Sequence, residues 1–565
     1  MQRLTLTAVV VVLFILSGCG DQSAAVCPGE TLCDADTSDE TGDMSQSTDG
    51  DEDEPGDLDA DMPDENDLAV EENTTTDGDD LPDEEQDAQT GEEDPDNEPQ
   101  EAADETPVEI EEETPQESEE TDEEYVQPAV FDMDMIRDAS TAQCTFFNHH
   151  TVWKDLTQFD VWNVTYLSWE SINGQLSPIL IRAFAAKPSS LTDDIPGVVM
   201  AHGLGGNAEE DNAVDNAALT GMFVIAYTGP GGGDTPENTS EGRSAGYENG
   251  YRLFDTIPDV RGSWFWGHAV AAMRAFTCLT TRPEIDADRL GMTGYSAGGV
   301  VTMISASVDD RIKAAVPLSG TLGWDISVQA PNAWQHQLLL KAGLTADSEQ
   351  WQRLMQYIVT PGVLLPQTNA KVFMINGSTD EFFPLTAHMA CFNAVPGDDK
   401  RTSLTANYDH GCYELAGVES PQVVEDRADI RYSGGLRMWM RHWFDTDDDY
   451  QHLPQAPQMV LTPVAGGVYI VAMVDELGQR LSVDSVRFWA SNDDSYIFAS
   501  VELEHSSNGV FTGVVPFTQQ ANTVFYLDVQ YRTEDLLFPE RFSISSPPQV
   551  PEGLIPHIRS MSTCL

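Results

Sequence analysis

Gly294-Tyr-Ser296-Ala-Gly298 stands between a short apolar run, residues 289–293, and a segment with the residue spacing of a helix, residues 300–308. A serine at a tight turn between a strand and a helix adopts a strained backbone, and flanking glycines relieve the crowding there. The turn lifts the hydroxyl clear of the sheet and directs backbone N–H groups at a reacting oxygen. A lone G-x-S-x-G is common by chance, but in this strand–turn–helix context the pattern predicts that Ser296 is a nucleophile.

Two residues further along the chain are the candidate acid and base for this serine. A serine hydroxyl needs a general base, and the base needs an orienting carboxylate. In a site of this type the chain order is serine, acid, histidine. Asp380 follows the apolar run 371–375 and therefore ends a predicted strand, and His410 lies thirty residues later in a loop. We predict that Asp380 orients His410 and that His410 activates Ser296.

Three other residues compete for these roles. His388 lies on a predicted helix just after Asp380, and His442 belongs to an amphipathic helix, so both are interpreted as surface-helix histidines. Asp409 adjoins His410, and its side chain would be poorly aimed at that imidazole. Asp380 and His410 therefore remain the first choice.

Residues 201–206, Ala-His-Gly-Leu-Gly-Gly, follow another short apolar run, residues 197–201. A loop at this place can present a backbone N–H to an oxyanion, beside the N–H of the residue after the nucleophile. We predict that Leu204 and Ala297 supply these two donors. His202 is expected to shape the turn rather than to transfer protons, and a purely structural glycine-rich turn is the alternative for the whole stretch.

Short apolar runs bounded by glycine alternate with helical patterns over the middle of the chain. Such runs are typical of strands buried on both faces of a parallel sheet, and their alternation with helices implies an α/β sheet with right-handed crossovers. We predict an α/β fold in a catalytic domain at residues 140–448. Residues 324–367 are long for a connection and are predicted to form a helical cap over the site. The predicted strands include 159–168, 179–186, 197–201, 222–226, 289–293, 312–318 and 371–375, and the predicted helices include 264–277 and 300–308.

After residue 452 the pattern changes to strands alone. Those predicted at 468–474, 485–490, 497–503 and 523–531 are separated by turn-rich segments with no helix pattern between them. We therefore predict a small all-β sandwich, of the immunoglobulin or fibronectin type, at residues 455–550.

The chain of 565 residues has a formal net charge of −70, and much of this charge lies near the N-terminus. Residues 34–125 contain 43 acidic side chains and no lysine or arginine. Such a polyanion repels phosphate backbones, which excludes nucleic-acid binding. The segment cannot bury enough apolar surface to offset its ordering entropy, so we predict a disordered acidic tether over residues 19–125.

Residues 1–18 have the features of a signal peptide, because a positive charge at Arg3 precedes an apolar run, 4–16, that is too short to span a bilayer. The ending Leu-Ser-Gly-Cys19 resembles the bacterial lipobox, in which the cysteine is acylated. The resemblance implies membrane attachment through Cys19. Because Gly20 rather than Asp follows, it also implies an exported lipoprotein of the outer membrane, facing the periplasm or the cell surface. A plain secretory signal is the alternative.

Export makes disulfides possible for the eight cysteines of the chain. Removing Cys19 leaves an odd number, so at least one thiol is free or pairs between chains. Cys27 and Cys33 are close enough to close a small loop. We also predict a bond between Cys391 and Cys412, because one lies on the helix after the predicted acid and the other just after the predicted base. Two separate buried thiols are the alternative, and the sequence predicts neither a metal nor a cofactor.

Residues 159–444 resemble the α/β-hydrolase superfamily, with features of its esterases and prolyl oligopeptidases, because the motifs around Ser296, Asp380 and His410 occur in the superfamily's order. Residues 375–410 also resemble the PhoPQ-activated pathogenicity-related family, which likewise appends a β domain. The resemblance implies the α/β-hydrolase fold and a Ser-His-Asp acyl-enzyme mechanism.

On this basis we expect a lipid-anchored serine hydrolase that cleaves carboxylic esters. Its substrate would be a small molecule, a glycan or a peptide with an ester or amide group. One alternative is a serine exopeptidase of prolyl-oligopeptidase type, in which Glu209 and Glu210 could grip a free amino terminus, although two surface glutamates are the plainer interpretation. The other is a catalytically silent adhesion or scaffold lipoprotein that uses the β region as a binding module.

Overall fold

The computed structural model describes residues 130–246, 250–330, 333–411, 420–444, 446–475, 480–492, 497–517, 519–520, 522–534, 539–551 and 554–555. The predicted signal peptide and tether lie outside these residues, as do Cys19, Cys27, Cys33 and Cys412. In the part of the chain that is described, no helix is long and apolar enough to cross a membrane.

Strands make up much of the described chain. Those before the predicted histidine are β1 Thr145–Lys154, β2 Thr157–Ile172, β3 Gln175–Pro188, β4 Ile195–Ala201, β5 Phe223–Tyr227, β6 Ile285–Tyr295, β7 Ile312–Leu318, β8 Lys371–Gly377 and β9 Lys400–Thr405. Those after it are β10 Gln458–Val464, β11 Gly467–Met473, β12 Leu481–Ser491, β13 Ala499–Glu502, β14 Glu504–Ser507, β15 Val510–Val515, β16 Val524–Thr533 and β17 Arg541–Ser545.

The helices all lie before β10 in the described chain, two of them ahead of β1 and the others between strands from β4 onward. They are α1 Met133–Arg137, α2 Ala139–Ala142, α3 Glu210–Thr220, α4 Trp264–Leu279, α5 Ala297–Val308, α6 Trp324–Ser327, α7 Trp334–Lys341, α8 Glu349–Leu354, α9 Pro361–Leu364, α10 Leu385–Ala394 and α11 Pro421–Trp443. All sixteen residues of α4 are buried, as expected for a helix that is apolar around most of its circumference.

Thirteen of the described strands form one mixed sheet in the order β1-β2-β3-β5-β4-β6-β7-β8-β9-β17-β16-β12-β13. The neighbours from β5 to β9 in this order pair in parallel, and β1, β2 and β3 pair antiparallel at one side. Because the carboxyl ends of parallel strands lie at one edge of a sheet, the loops after β4, β6, β8 and β9 meet there. These loops carry Leu204, Ser296, Asp380 and His410 in turn.

This arrangement confirms the predicted α/β-hydrolase fold. β4 and β5 are buried along almost their whole length, which explains their nearly continuous apolar sequences. The connection from β7 to β8 is the predicted helical insertion and contains α6 to α9. Its Trp334 ring packs edge-on against Trp324, with ring centroids 5.4 Å apart, and against Phe382 in the loop after β8, with centroids 5.3 Å apart.

The C-terminal strands form two antiparallel layers, but one layer is continuous with the catalytic sheet. β10, β11, β15 and β14 make a separate four-stranded sheet, whereas β12, β13, β16 and β17 extend the large sheet through β9. Ser545 of β17 lies opposite Thr402 of β9. Side chains between the layers belong to the same buried cluster as the helix α11 side of the catalytic core. The C-terminal strands therefore share a core with the catalytic domain.

The first described residues are fastened to α4. The side chain of Trp266 donates from Nε1 to the carbonyl of Val130 at 2.6 Å. The buried guanidinium of Arg274 donates to the carbonyls of Met135, Ile136 and Asp138 at 3.0–3.2 Å. A disulfide joins Cys144 to Cys278, a pairing that the sequence spacing left open. Residues 130–144 form a segment clamped to the buried helix, which we call the N-terminal clamp.

Candidate active site

The backbone of Ser296 is strained, as expected for a serine between a strand and a helix. Its φ of 59° and ψ of −123° put it directly before the first residue of α5, in a region that side chains other than glycine rarely occupy. A Cβ at Gly294 or Gly298 would collide with the carbonyl oxygen of Ala201. The glycines of the motif therefore allow β6, α5 and the end of β4 to approach closely around the serine.

Ser296, His410 and Asp380 are joined by hydrogen bonds. The Nε2 of His410 lies 2.8 Å from Ser296 Oγ, and its Nδ1 lies 3.0 Å from Asp380 Oδ2. The other carboxylate oxygen of Asp380 accepts the backbone N–H groups of Phe382 and Phe383 at 2.9 and 2.8 Å. Because the Asp380 side chain is fully buried, these bonds fix its orientation toward the imidazole.

Both backbone polar groups of His410 are bound by side chains from the other two loops. The Tyr295 hydroxyl donates to the His410 carbonyl at 2.9 Å, and Glu381 Oε2 accepts the His410 N–H at 3.1 Å. Burial, and next the neighbouring charge of Asp380, raise the pKa of Glu381 to about 7. Sequence reasoning did not single out Glu381 or Tyr295, although both adjoin predicted site residues.

His202 holds the loop after β4 in place. Its Nε2 accepts the backbone N–H of Gly229 at 2.7 Å, so the ring proton lies on Nδ1, which donates to the carbonyl of Gly203 at 2.6 Å. Burial lowers the pKa of His202 to about 4, and burial lowers the pKa of the adjacent His268 well below its usual value. Both imidazoles are therefore neutral at neutral pH, and His202 takes a structural place in the loop.

Leu204 follows a glycine that lies beside the serine, and Ala297 follows the serine itself in the chain. A Cβ placed on Gly203, the residue before Leu204, would lie 3.3 Å from Ser296 Cβ and 3.8 Å from Ser296 Oγ. Ala297 is the first residue of α5, where helical N–H groups have no intrahelical acceptor. Neither of these two amides donates a hydrogen bond to any group in the described residues. The two amides predicted to bind an oxyanion thus have no other acceptor among the described residues.

The competing residues have other contacts. The surface interpretation is wrong for His388, which is fully buried because α10 packs on β8, α6 and α9. Its Nε2 lies 2.8 Å from Thr402 Oγ1 of β9. His442 Nδ1 lies 2.7 Å from the carbonyl of Tyr450. Asp409 accepts the N–H of Gly411. His388 and His442 therefore do not take part in the Ser296 contacts.

The two glutamates considered for amino-terminus binding belong to α3 and its N-terminus. Glu209 precedes the helix and forms a capping box with Asn212. Glu210 Oε1 lies 3.0 Å from Nε2 of His150 on β1. Each carboxylate thus has a partner of its own within the fold.

The predicted bond between Cys391 and Cys412 is wrong at Cys391, which is a free, buried thiol. Its sulfur lies beside Thr321 and Leu322, in the chain that follows β7. The orientation of α10 therefore places this thiol beside the residues that immediately precede the cap helix α6. Among the described residues, no group of three or more His, Cys, Asp or Glu side chains is placed to hold a metal ion.

The cap touches the loop that carries the predicted acid. Gln335 of α7 is fully buried, and its Nε2 donates to the Phe382 carbonyl at 2.7 Å. The Phe382 ring lies edge-on to the His410 imidazole, with ring centroids 4.2 Å apart. The cap is thus hydrogen-bonded to the residue two positions after Asp380. The ring of that residue, Phe382, shields the imidazole from water.

Part of the chain matches a known protein family. Residues 147–417 match the family model described as acetyl xylan esterase (AXE1). The protein YtaP of Bacillus subtilis (strain 168) is 28% identical over 78 residues, which are 14% of this chain and 26% of that protein. The chain therefore matches about a quarter of the length of this relative.

Two solved structures similar to part of the chain are described as acetyl xylan esterases. The enzyme from Paenibacillus sp. R4 is 20% identical with a TM-score of 0.41, and the match covers 53% of this chain and 95% of that one. Acetyl xylan esterase 1 from Thermoanaerobacterium sp. JW/SL YS485 is 17% identical with a TM-score of 0.40 and the same coverage of both chains. The sheet order and the serine turn themselves establish the fold. The chain thus has the α/β-hydrolase fold, and its residues 147–417, which contain Ser296, Asp380 and His410, match an esterase family model.

Proposed function

We propose that the protein is a serine esterase that removes short acyl groups, acetyl above all, from carbohydrate, and that it acts outside the cytoplasm on a lipid anchor. The observation that carries the esterase part is the position of His410, whose two ring nitrogens contact Ser296 Oγ at 2.8 Å and Asp380 Oδ2 at 3.0 Å. A serine with a base and an orienting carboxylate in this order is equipped for acyl transfer.

In the acylation step, Ser296 Oγ attacks the ester carbonyl carbon while its proton passes to His410 Nε2. The carbonyl oxygen becomes an oxyanion, which accepts hydrogen bonds from the amides of Leu204 and Ala297. Asp380 accepts the Nδ1–H of His410 and stabilises the imidazolium. When the tetrahedral intermediate collapses, the bond to the alcohol oxygen breaks and His410 returns the proton to that oxygen, which leaves an acyl group on Ser296.

In the deacylation step, water replaces the alcohol. His410 removes a proton from the water, whose oxygen attacks the acyl carbon, and the same amides stabilise the second oxyanion. The acid is released as Ser296 Oγ recovers the proton. Because the unused N–H groups are held by the strained turn and by the His202 loop, they need no reorganisation as negative charge develops.

The carbohydrate part of the proposal rests on the match of residues 147–417 to the acetyl xylan esterase family model. The peptidase alternative is weakened by the partners of Glu209 and Glu210, since both carboxylates are engaged at the N-terminus of α3. A catalytically silent scaffold has no need for a strained serine held 2.8 Å from a buried imidazole. The contacts therefore favour the esterase.

The serine is tested with a fluorophosphonate probe, which reacts with activated serine hydroxyls. The purified protein should become labelled, and Ser296→Ala should abolish labelling and reduce turnover of p-nitrophenyl acetate by about 10⁴-fold or more. Ser305→Ala, a change of another buried serine on α5 outside the site, is the matched control and should keep full labelling. An unlabelled wild-type protein would reject the proposal.

Substrate preference is tested separately. Initial rates with p-nitrophenyl acetate, butyrate and octanoate should fall with chain length, and acetate should be released from acetylated xylo-oligosaccharides. Aminoacyl p-nitroanilides serve as the peptidase control. Faster cleavage of the anilides than of the acetates would replace the esterase by the exopeptidase.

The anchor is a separate part of the proposal and rests on the lipobox resemblance at Cys19. Expression in a bacterium fed an alkyne-labelled fatty acid should label the wild-type protein and place it in the outer-membrane fraction. Cys19→Ala should lose the label and leave the enzyme soluble in the periplasm. Equal labelling of the two proteins would reject lipidation at this residue.

A further inference from the structure

The side chain of Asn407 ties the loop that carries His410 to the C-terminal strands. Asn407 Oδ1 accepts the backbone N–H of Phe498 at 2.8 Å, and Asn407 Nδ2 donates to the carbonyl of Phe498 at 3.0 Å. Asn407 is buried and has a φ of 59°, a conformation that asparagine adopts more readily than most residues. The side-chain amide thus makes the pair of hydrogen bonds that a neighbouring strand would make with the Phe498 backbone.

The same residue is also tied to the loop that carries the acid. The backbone N–H of Asn407 donates to Ser378 Oγ at 2.8 Å, and the N–H of Thr379 donates to the carbonyl of Tyr408 at 3.1 Å. The acid and histidine loops therefore lie side by side, and Asn407 joins this pair to the strand region behind it. His410 follows Asn407 by three residues, so a shift of one displaces the other.

A buried apolar cluster reinforces this contact. Leu385, at the start of α10, and Leu404 and Ala406, on the approach to the histidine, pack with residues from the C-terminal strands: Trp489, Phe498, Val524 and Tyr526. Arg427 of α11 donates to the carbonyl of Ala406 at 2.8 Å, and its guanidinium lies 4.8 Å from the centroid of the Trp489 ring. Leu404 donates its N–H to Ser545 Oγ. The strands behind the loop are thus packed and hydrogen-bonded to it.

We propose that the C-terminal strand region is a working part of the catalytic unit and that Asn407 is a positioning residue, which uses the backbone of Phe498 to fix the loop that brings His410 to Ser296. The region lies outside the family match, which ends at residue 417. The proposal rests on the serine-esterase function above and gives the C-terminal strands a role other than that of a detached binding module.

The test compares three variants of the full-length protein. Asn407→Gly keeps the left-handed backbone and removes both bonds to Phe498. Asn407→Asp keeps the acceptor and loses the donor. Asn148→Gly is the matched control, because Asn148 also has a left-handed backbone, with a φ of 52°, but is exposed on β1 at the opposite side of the sheet. The assays are kcat and KM for p-nitrophenyl acetate and the rate of fluorophosphonate labelling.

We expect Asn407→Gly to lower kcat and the labelling rate together, by about tenfold to a hundredfold, because displacement of a catalytic group by near 1 Å can have an effect of that size. KM should stay within twofold. Asn407→Asp should lower kcat and the labelling rate by a smaller factor. This variant keeps the test decisive if Asn407→Gly does not fold. Asn148→Gly should match the wild type. Wild-type kcat in both Asn407 variants would overturn the proposal.

A double-mutant cycle separates positioning from general loosening of the protein. In a His410→Gly background whose activity is restored with free imidazole, the base no longer depends on the loop, so adding Asn407→Gly should change the rescued rate by less than twofold. A full additional loss would overturn the positioning role. A wild-type protein that neither hydrolyses esters nor labels would overturn the esterase function and this proposal together, whereas an active wild type with insensitive variants overturns this proposal alone.

Discussion

Glu381 Oε2 accepts the backbone N–H of His410 at 3.1 Å, while Oδ2 of the adjacent Asp380 lies 3.0 Å from Nδ1 of the same histidine. Two consecutive carboxylates therefore bind the backbone and the ring of one residue. With the Tyr295 hydroxyl on its carbonyl, His410 is held at its N–H, its C=O and its imidazole. Such a constraint limits the positions that Nε2 can take relative to Ser296.

The first prediction concerns Tyr295. Tyr295→Phe removes the hydroxyl that donates to the His410 carbonyl and keeps the ring that lies 5.2 Å from the imidazole. Loss of one hydrogen bond of ordinary strength should lower kcat by about threefold to tenfold with little change in KM. Steady-state kinetics with p-nitrophenyl acetate measure it, with Tyr469→Phe, a change in an exposed side chain of β11, as control. An unchanged kcat would show that the loop holds the histidine without this bond.

The second prediction concerns the pH dependence of stability. Burial raises the pKa of Glu381 to about 7 from an unfolded value near 4.5, so the folded state binds more protons than the unfolded state between these values. The contribution of Glu381 to the free energy of unfolding therefore falls as the pH rises between these two pKa values. Glu381→Gln removes this effect. Relative to wild type, the variant should gain about 1–3 kcal/mol between pH 5 and pH 8.

Urea denaturation at the two pH values measures this difference. Glu349→Gln is the control, because that carboxylate is 67% exposed and paired with Arg353 on the surface of α8. Its difference from wild type should not depend on pH in the same range. A Glu381→Gln difference that stays constant from pH 5 to pH 8 would contradict the assignment.

The third prediction concerns acid stability. Burial lowers the pKa of His202 to about 4 and that of His388 to about 3, and lowers the pKa of His268 well below its usual value. In the unfolded chain these imidazoles bind protons near pH 6.5, so the stabilisation is complete above that pH and is lost as the pH falls toward the folded values. Each should reduce the free energy of unfolding by about 1.4 kcal/mol per pH unit in that range.

His388→Gln isolates one of these contributions. Between pH 6 and pH 4.5, the free energy of unfolding of the variant should fall less steeply with pH than that of wild type. The difference in slope is the contribution of His388 and does not depend on the absolute stability of the variant. His452→Gln, a change in an exposed residue, should keep the wild-type slope. Equal slopes for His388→Gln and wild type would contradict the buried neutral state of His388.

The fourth prediction concerns the disulfide. Cys144 and Cys278 are 134 residues apart in sequence, so their bond restricts a large part of the unfolded chain. Replacing both by serine should lower the free energy of unfolding by about 2–5 kcal/mol. Dithiothreitol should lower the urea midpoint of the wild type and leave that of the double variant unchanged. If reduced and oxidised wild type unfold at the same urea concentration, the bond does not stabilise the domain.

The site residues predicted from sequence were those with a local signal. Ser296 stands in a glycine-flanked turn after an apolar run, and Asp380 follows another apolar run. The pattern of apolar residues and the turn residues were therefore enough to place both side chains at the carboxyl ends of strands. His410 followed from chain order. The same signals located the α/β fold, because buried parallel strands are recognisable without knowing their partners.

The features that sequence reasoning missed depend on partners distant in the chain. Residues 523–531 were predicted as a strand and form most of β16, but no strand was predicted at β17, and nothing local indicates that β17 lies beside β9. The role of Glu381 depends on the loop after β9 folding back onto the loop after β8. The position of Cys391 after the predicted acid favoured it as a disulfide partner near the site, whereas the orientation of α10 places that thiol beside the chain after β7.

The N-terminal clamp has a mechanical consequence. Any pull on the chain ahead of Val130 reaches α4 through the Trp266 and Arg274 hydrogen bonds and ends at the covalent Cys144–Cys278 link, before it can act on β1. Because α4 is buried along its whole length, the load spreads into the core instead of peeling an edge strand from the sheet. An enzyme held at that end in flowing liquid could be dragged without disturbing the alignment of Ser296 and His410.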